Sequence, residues 1–376
     1  MRKKNRLVFF PSDPIQTYLR QGKSFEYLES YYNPGDFFDE VYCLSPWGDC
    51  EKHSRNKFQY IKASPLQYKK IIAKIRPDVV RAYGGYHCAD WAAISKVDRI
   101  PTIVSVHDTL PELIFDSIKY ADYVICMAET VKESVLKKIS FNKENMFVMP
   151  NRIDETLFSH KIDSDYRERL NKRFGVGKHI LHVGRKSQQK NLDTLIRSLQ
   201  FLPESVSCVF VGSGESQKYE ELAEELNVRG RCYFLESVDK KELPYWYSWC
   251  DCFCVPSRWE GFGMVFIEAA GCEASIVTSN IAPMNEYLIH GENAILIDEY
   301  EDPTKIAQGI KTVLQGGCEI QQMRKNARLV GLNFSKDKVD REEINIYKKV
   351  IRQRGYMKGY NGVPLRYRIY KQYGFF

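Results

Sequence analysis

Pro256-Ser-Arg-Trp-Glu-Gly-Phe-Gly-Met-Val-Phe-Ile-Glu-Ala-Ala270 is the stretch from which the rest of the chain is read, and in it seven residues separate Glu260 from Glu268. Cys252 to Val255, just before it, is a short apolar run of strand character. Glu260 to Gly263 is a glycine-flanked loop, and Met264 to Gly271 carries apolar residues at helical spacing. The pattern predicts strand, loop and helix, with the helix opening just after Gly263.

The first turn of a helix has backbone N–H groups without partners inside the helix, and the helix dipole adds partial positive charge there, so a phosphate can rest against it. Gly261 and Gly263 would let the backbone approach closely. At a rise of about 1.5 Å per residue, Glu268 lies just over one turn into the helix while Glu260 stays on the loop, about 10 Å away. A diphosphate joining two hydroxyl-rich rings has about that span. Two readings stand: a nucleotide-sugar clamp with a carboxylate at each end, or a buried strand and helix bearing two unrelated surface acids.

With 376 residues the chain can form two domains of ordinary size. Its 44% hydrophobic and 27% charged residues describe a globular protein, and no run approaches the length of a membrane span. The amino-terminal Met-Arg-Lys-Lys-Asn-Arg leads into a strand without a secretory apolar core, so a cytoplasmic location is expected. Most of the 11 cysteines sit in apolar strand-like runs, as Cys126 and Cys208 do, and read as reduced core thiols. Cys250, Cys252 and Cys254 alternate along one strand but lack a second ligand pair, so no metal is expected. From Arg341 to Phe376 there are nine Lys or Arg against two acids, which accounts for the whole net charge of +7.

Strands are predicted at Leu7 to Phe10, Glu40 to Leu44, Asp78 to Tyr83, Thr102 to His107, Asp122 to Met127 and Met146 to Met149, with helical patterns between them. This alternation predicts a parallel sheet covered on both faces, whose ligands sit beyond the carboxyl ends of the strands. His107 ends one such strand; it is read either as a partner for a sugar hydroxyl or as a structural histidine capping the next helix. After Pro150 to Phe158 comes a polar, charged stretch to about Gly177 with linker composition, and Asp163-Ser-Asp165 within it reads as a solvated pair.

A second alternation begins at His179-Ile-Leu-His-Val-Gly-Arg185. Arg185 and Lys190 bracket the loop that leaves this strand and could neutralise a diphosphate, or be ordinary surface charges. Val206 to Val211 leads into Gly212-Ser-Gly214, a phosphate-friendly or merely tight turn, and Cys232 to Leu235 leads towards Val238. Ser275 to Thr278 and Ala294 to Ile297 complete the sheet, and Pro303 to Leu314 and Glu319 to Leu332 are expected surface helices. The amphipathic segment Val339 to Ile351 is expected to pack back on the first domain. The tyrosine-rich basic tail, Arg352 to Phe376, is read as packing or as a contact with an anionic membrane surface.

Gly184-Arg185 with Lys190-Asn191, the Gly212-Ser-Gly turn, Pro256-Ser-x-x-Glu-Gly-Phe-Gly with Glu268, and Glu286 followed by His290-Gly-Glu-Asn293 occur in an order that resembles glycosyltransferase family 4. Pro150-Asn151 with Asp154 and Phe158 is similar to that family's linker signature. The similarity extends over about residues 100 to 315. It implies an α/β GT-B fold: two Rossmann-like, doubly wound domains facing across a cleft, with a carboxyl-terminal helix returning to the first. The expected division is 1–160 for the acceptor side, 161–177 for a linker, 178–332 for the donor side and 333–376 for the helix and tail.

The resemblance also implies a retaining, metal-independent transferase without a cofactor, moving a hexose-type sugar from a nucleoside diphosphate to a glycan or lipid-linked acceptor. No nucleic-acid partner is expected. Arg185 and Lys190 would bind the diphosphate, and Glu260 the hydroxyls of the transferred sugar. Gly261, Phe262, Gly263 and Met264 would offer backbone amides, with Gly212 nearby. Glu268 would take the ribose hydroxyls, Val238 would lie near the base, and His107 would face the donor sugar. Two positions depart from the family: Pro11-Ser-Asp-Pro14 stands where many members have a glycine-rich loop, and Arg152 stands where glycine usually follows Pro-Asn. The alternatives are an epimerase or phosphorylase on the same frame, or a non-catalytic nucleotide-sugar binder; neither an epimerase acid–base set nor a phosphorylase cofactor lysine is visible.

Overall fold

In a computed structural model, which describes residues 4–20, 22–47 and 57–353, the chain divides into two compact units. The first comprises the described residues up to Pro150 and those from Asp337 onward; the second is Asn151–Lys336.

The first unit holds a seven-stranded parallel sheet. Its strands are β1 (Arg6–Phe10), β2 (Glu40–Ser45), β3 (Phe58–Lys62), β4 (Val79–Tyr83), β5 (Thr102–Val106), β6 (Tyr123–Cys126) and β7 (Met146–Val148), in the order β3-β2-β1-β4-β5-β6-β7. Every residue of β4, β5 and β6 is buried, as strands covered on both faces must be. That is why these segments read as mainly apolar runs rather than as alternations, with Arg81, Thr102 and Ser105 as buried polar exceptions. Phe10 stacks on Tyr68 and meets Trp91 edge-on, which joins the sheet to the helices Tyr68–Ile75 and His87–Ile94.

The second unit repeats the plan with six parallel strands. They are β8 (Lys178–Val183), β9 (Val206–Val211), β10 (Cys232–Leu235), β11 (Cys252–Val255), β12 (Ile276–Ser279) and β13 (Ile295–Ile297), in the order β10-β9-β8-β11-β12-β13. Strand order reverses between β8 and β11, and in open α/β sheets the crevice at the carboxyl end of such a reversal is where ligands bind. The loops that follow β8 and β11 are the two that carry Lys190 and Glu260.

Both sheets match the alternation read from the sequence, and strand limits agree within one or two residues. Two features differ. Strand β3, Phe-Gln-Tyr-Ile-Lys, is an edge strand with two exposed polar positions, and its pattern does not announce it. The expected linker 161–177 contains a helix, Ser164–Phe174, belonging to the second unit. Asp163 caps it by accepting from Tyr166 N–H at 2.8 Å, so that acid is a helix N-cap. Only Leu170 and Phe174 of this helix are buried. Phe174 packs on Trp246 and Trp249, contacts from distant sequence that composition cannot show.

The terminal helix Lys336–Gln353 buries Val339, Tyr347 and Val350. From Asp337 onward it belongs to the first unit, where Glu343 forms a buried ion pair with Arg81 of β4. Arg81 also donates to Tyr347 Oη at 2.7 Å and to Ser105 Oγ at 3.0 Å. The expected return of this segment to the first domain is thus observed. The basic, tyrosine-rich segment from residue 354 to 376 lies outside the described residues. Among the described residues no helix is long and apolar enough to cross a membrane. None of the ten described cysteines is joined in a disulfide, and Cys318 alone among them is exposed.

Candidate functional site

The site begins where β11 runs out. Val255 is the last residue of that buried strand, and the chain turns through Pro256 to Gly263 before the helix Met264–Gly271. Gly263 is its N-cap, in the left-handed region at φ 84° and ψ 56°, and no side chain caps the first turn. A Cβ there would lie 2.6 Å from Phe266 Cδ2, so both the conformation and the space call for glycine. Tyr287 Oη donates to Phe262 O at 2.8 Å. The rings of Phe262, Tyr287 and Phe334 pack together with centroids 5.3 to 5.6 Å apart. The loop preceding the helix is therefore fixed from below by an aromatic cluster.

Glu260 is buried on this loop. Its Oε1 accepts from Lys190 Nζ at 2.5 Å and from Ser257 Oγ at 2.7 Å. Lys190 is itself buried, and a Cβ on Gly184 would stand 3.2 Å from its Cε. Gly184, at φ 156°, thus leaves room for the stem of the lysine. The two residues singled out from separate stretches of sequence form one buried pair across 70 positions.

Arg185 is exposed, at the start of the same loop, where its Nη2 reaches Gln189 Oε1 at 3.5 Å. Gln189 in turn donates from Nε2 to Trp259 O at 2.9 Å, so the two loops are laced together. Arg258 adds to this with bonds to Gln188, Asp193 and Glu301. Nothing in the local sequence distinguishes Arg258 from a surface cation, because all three partners come from other segments.

Glu268 is buried one turn further along the helix. Lys240 Nζ lies 3.3 Å from its Oε1, and Tyr247 Oη is 3.5 Å from its Oε2. Val238 is half-buried in the segment that follows β10, and Gly212 follows β9. A Cβ on Gly212 would collide with Gly184 O at 2.0 Å, which gives that glycine a packing reason of its own.

Lys186 was not visible from sequence. It is buried, and its Nζ donates to Gly212 O and, at 2.8 Å, to Leu235 O. It ties the ends of β9 and β10 to the loop leaving β8, and burial lowers its pKa. Beneath the loop, His182 of β8 is held neutral, its pKa depressed to about 3 by burial and then by the charge of Lys190.

In the matched segment His290-Gly-Glu-Asn293, His290 Nδ1 accepts from Leu296 N–H at 3.1 Å and Asn293 Oδ1 from Ile289 N–H at 2.8 Å. That segment closes a turn before β13. Glu286 is exposed. Asp154 accepts from Thr156 and Leu157 N–H at 3.0 and 2.9 Å, and Phe158 is buried.

His107 is in the first unit, directly after β5. Its Nε2 is buried without a hydrogen-bond partner, and burial, with Arg81 as a second influence, lowers its pKa to about 4. It is an uncharged imidazole at a strand end and not a helix cap. Among the described residues no group of three or more His, Cys, Asp or Glu is placed to hold a metal ion.

A family model described as Glycosyl transferases group 1 matches residues 167–330, and one described as Glycosyltransferase Family 4 matches residues 35–157. An uncharacterised glycosyltransferase of Methanocaldococcus jannaschii is 28% identical over 306 residues, covering 73% of this chain and 78% of its own. The D-inositol 3-phosphate glycosyltransferase of Xylanimonas cellulosilytica is 25% identical over 244 residues, covering 62% of this chain and 58% of its own. The crystal structure of Anabaena HepE in complex with UDP superposes with a TM-score of 0.75 at 18% identity, covering 92% of this chain and 100% of that one. The two matched family regions, the two doubly wound parallel sheets and the order of the site segments converge: the chain is a glycosyltransferase of GT-B fold and belongs to glycosyltransferase family 4.

Proposed function

We propose that the chain moves a hexose-type sugar from a nucleoside diphosphate to a hydroxyl of a glycan or lipid-linked acceptor, with retention of configuration and without a metal. The observation that carries this reading is the buried Lys190–Glu260 pair at the opening of a helix whose first turn has no side-chain cap. Burying two charges costs several kcal/mol per ion before their attraction offsets it, and an apolar pair would fill the space without that cost. The expense is intelligible if both groups meet a ligand.

An ammonium has three donors. With one on Glu260, Lys190 keeps two for a diphosphate lying over the first turn of Met264–Gly271, where Gly261, Phe262, Gly263 and Met264 present backbone amides. Arg185, exposed at the entrance of the loop, is free to swing onto the same phosphates. Glu260 then accepts from sugar hydroxyls and Glu268 from the ribose, with Val238 and the Gly212 turn on the base side. The UDP held by the Anabaena protein supports a donor of this kind.

As the glycosidic bond breaks, negative charge grows on the departing diphosphate, and cations and amides already in place lower the barrier without reorganising. They do the work that a divalent metal does elsewhere. The leaving diphosphate would take the acceptor's proton on the same face as attack, which gives retention. The basic tail would bring the protein to an anionic membrane surface, as a lipid-linked acceptor requires.

The test is incubation with UDP-, GDP- and ADP-sugars, scoring nucleotide release with and without glycan acceptors. Acceptor-dependent release from one donor, unchanged within twofold by EDTA, is expected. Turnover of none of them, together with no melting shift from any nucleoside diphosphate, overturns the reading. Loss in EDTA restored by magnesium overturns its metal-free part.

A further inference from the structure

Arg258 makes an unusually complete set of bonds. Nε donates to Glu301 Oε1 at 2.7 Å and Nη2 to Glu301 Oε2 at 2.9 Å. Nη1 and Nη2 donate to Asp193 Oδ1 and Oδ2 at 3.0 and 2.9 Å. The second N–H of Nη1 donates to Gln188 O at 2.7 Å. A guanidinium has five N–H groups, and all five are engaged by three partners that lie 43 to 70 positions away. None is left for a substrate. The residue's own backbone N–H donates to Gln189 O at 2.8 Å.

These bonds converge on one short segment. Gln188, Gln189 and Asp193 flank Lys190, and Asn191 beside it adopts a left-handed conformation at φ 54°. Asn191 Nδ2 donates to Tyr300 O at 2.9 Å, next to Glu301. Arg258 itself stands two residues before Glu260. The guanidinium therefore joins the loop that presents Lys190, the loop that presents Glu260, and the turn at Glu301.

We propose that Arg258 is a positioning residue for the donor-diphosphate site, acting through Lys190: it holds the Lys190 loop against the Glu260 loop so that the ammonium stays where charge develops. This rests on the role given to Lys190 above. A surface ion pair contributes little and tolerates replacement. Two bidentate carboxylates and a backbone carbonyl on one planar cation specify a geometry, and lysine, a single point charge, cannot reproduce it.

A double-mutant cycle tests this, using purified full-length chain and the nucleotide sugar turned over by the wild type. Arg258→Met is expected to lower kcat tenfold or more while the donor KM changes less than threefold, because Lys190 would act on charge that appears in the transition state. Arg258→Lys should recover only part of the loss. Combined with Lys190→Ala, Arg258→Met should add less than twofold, since a residue acting through Lys190 has nothing to position once Lys190 is gone. Wild-type kcat in Arg258→Met, or full additivity of the two losses, overturns the inference.

If Arg258→Met does not fold, Asp193→Asn with Glu301→Gln loosens the same clamp from its two more exposed partners, and the same cycle is read with that pair. Failure of the donor-site reading looks different: there Lys190→Ala alone turns over at the wild-type rate. If Lys190→Ala is impaired and Arg258→Met is not, the clamp alone is wrong.

Discussion

Lys190 and Glu260 are each unremarkable as letters, and their pairing is what makes them testable. Replacing either by alanine is expected to lower turnover about tenfold or more, at least about 1.4 kcal/mol in the barrier. Glu260→Ala should also lower the unfolding midpoint, because it strands a buried ammonium, whereas Lys190→Ala should be milder since Ser257 still donates to Glu260. Steady-state rates and thermal melts on both variants check this, and wild-type rates in either would remove that residue from the site. His182 makes a second prediction. Its folded pKa of about 3 lies below the ordinary histidine value, so the unfolded chain binds the extra proton first as pH falls. Stability should decline from about pH 6.5 downward, by about 2 kcal/mol at pH 5 from this residue. Denaturant titrations of wild type and His182→Leu at pH 7.5 and 5 should differ in slope with pH by that amount; equal pH dependence would show that His182 does not titrate between the two states.

Among the elements, the helix Met264–Gly271 depends on the backbone that precedes it. Gly263→Ala must place a Cβ at φ 84° and 2.6 Å from the Phe266 ring, and strain of this kind costs about 1–3 kcal/mol. A lowered melting temperature together with weakened nucleoside diphosphate binding is expected, read by calorimetry with and without UDP and GDP. A variant as stable and as binding-competent as wild type would mean the first turn tolerates another entry angle. This helix was legible because its apolar spacing and flanking glycines are local signals. The helix Ser164–Phe174 was not, since its nine other residues are exposed or half-exposed and its two anchors lean on Trp246 and Trp249. Strand β3 escaped for a related reason: it exists by pairing with β2 at the sheet edge.

For the molecule as a whole, the terminal helix carries the chain back to the first unit. Arg81 and Glu343 are both buried to within a few per cent, and removing one partner of such a pair costs about 3–5 kcal/mol. Glu343→Ala should therefore lower the unfolding transition of the first unit, with proteolysis of the terminal helix appearing first; an unshifted melt would show that Tyr347 and Val339 hold it unaided. Sequence by itself determined the class of the molecule: two alternations of strand and helix, a terminal amphipathic segment, and the residue types of the candidate site in their order. Those properties depend on period, composition and short spacing, all carried along the chain. Tertiary structure alone decided that Lys190 sits on Glu260, that Lys186 holds the ends of β9 and β10, and that Arg258 gives every donor to other loops. Such contacts join positions that only the parallel crossovers of the sheet bring together, and distance along a sequence carries no record of them.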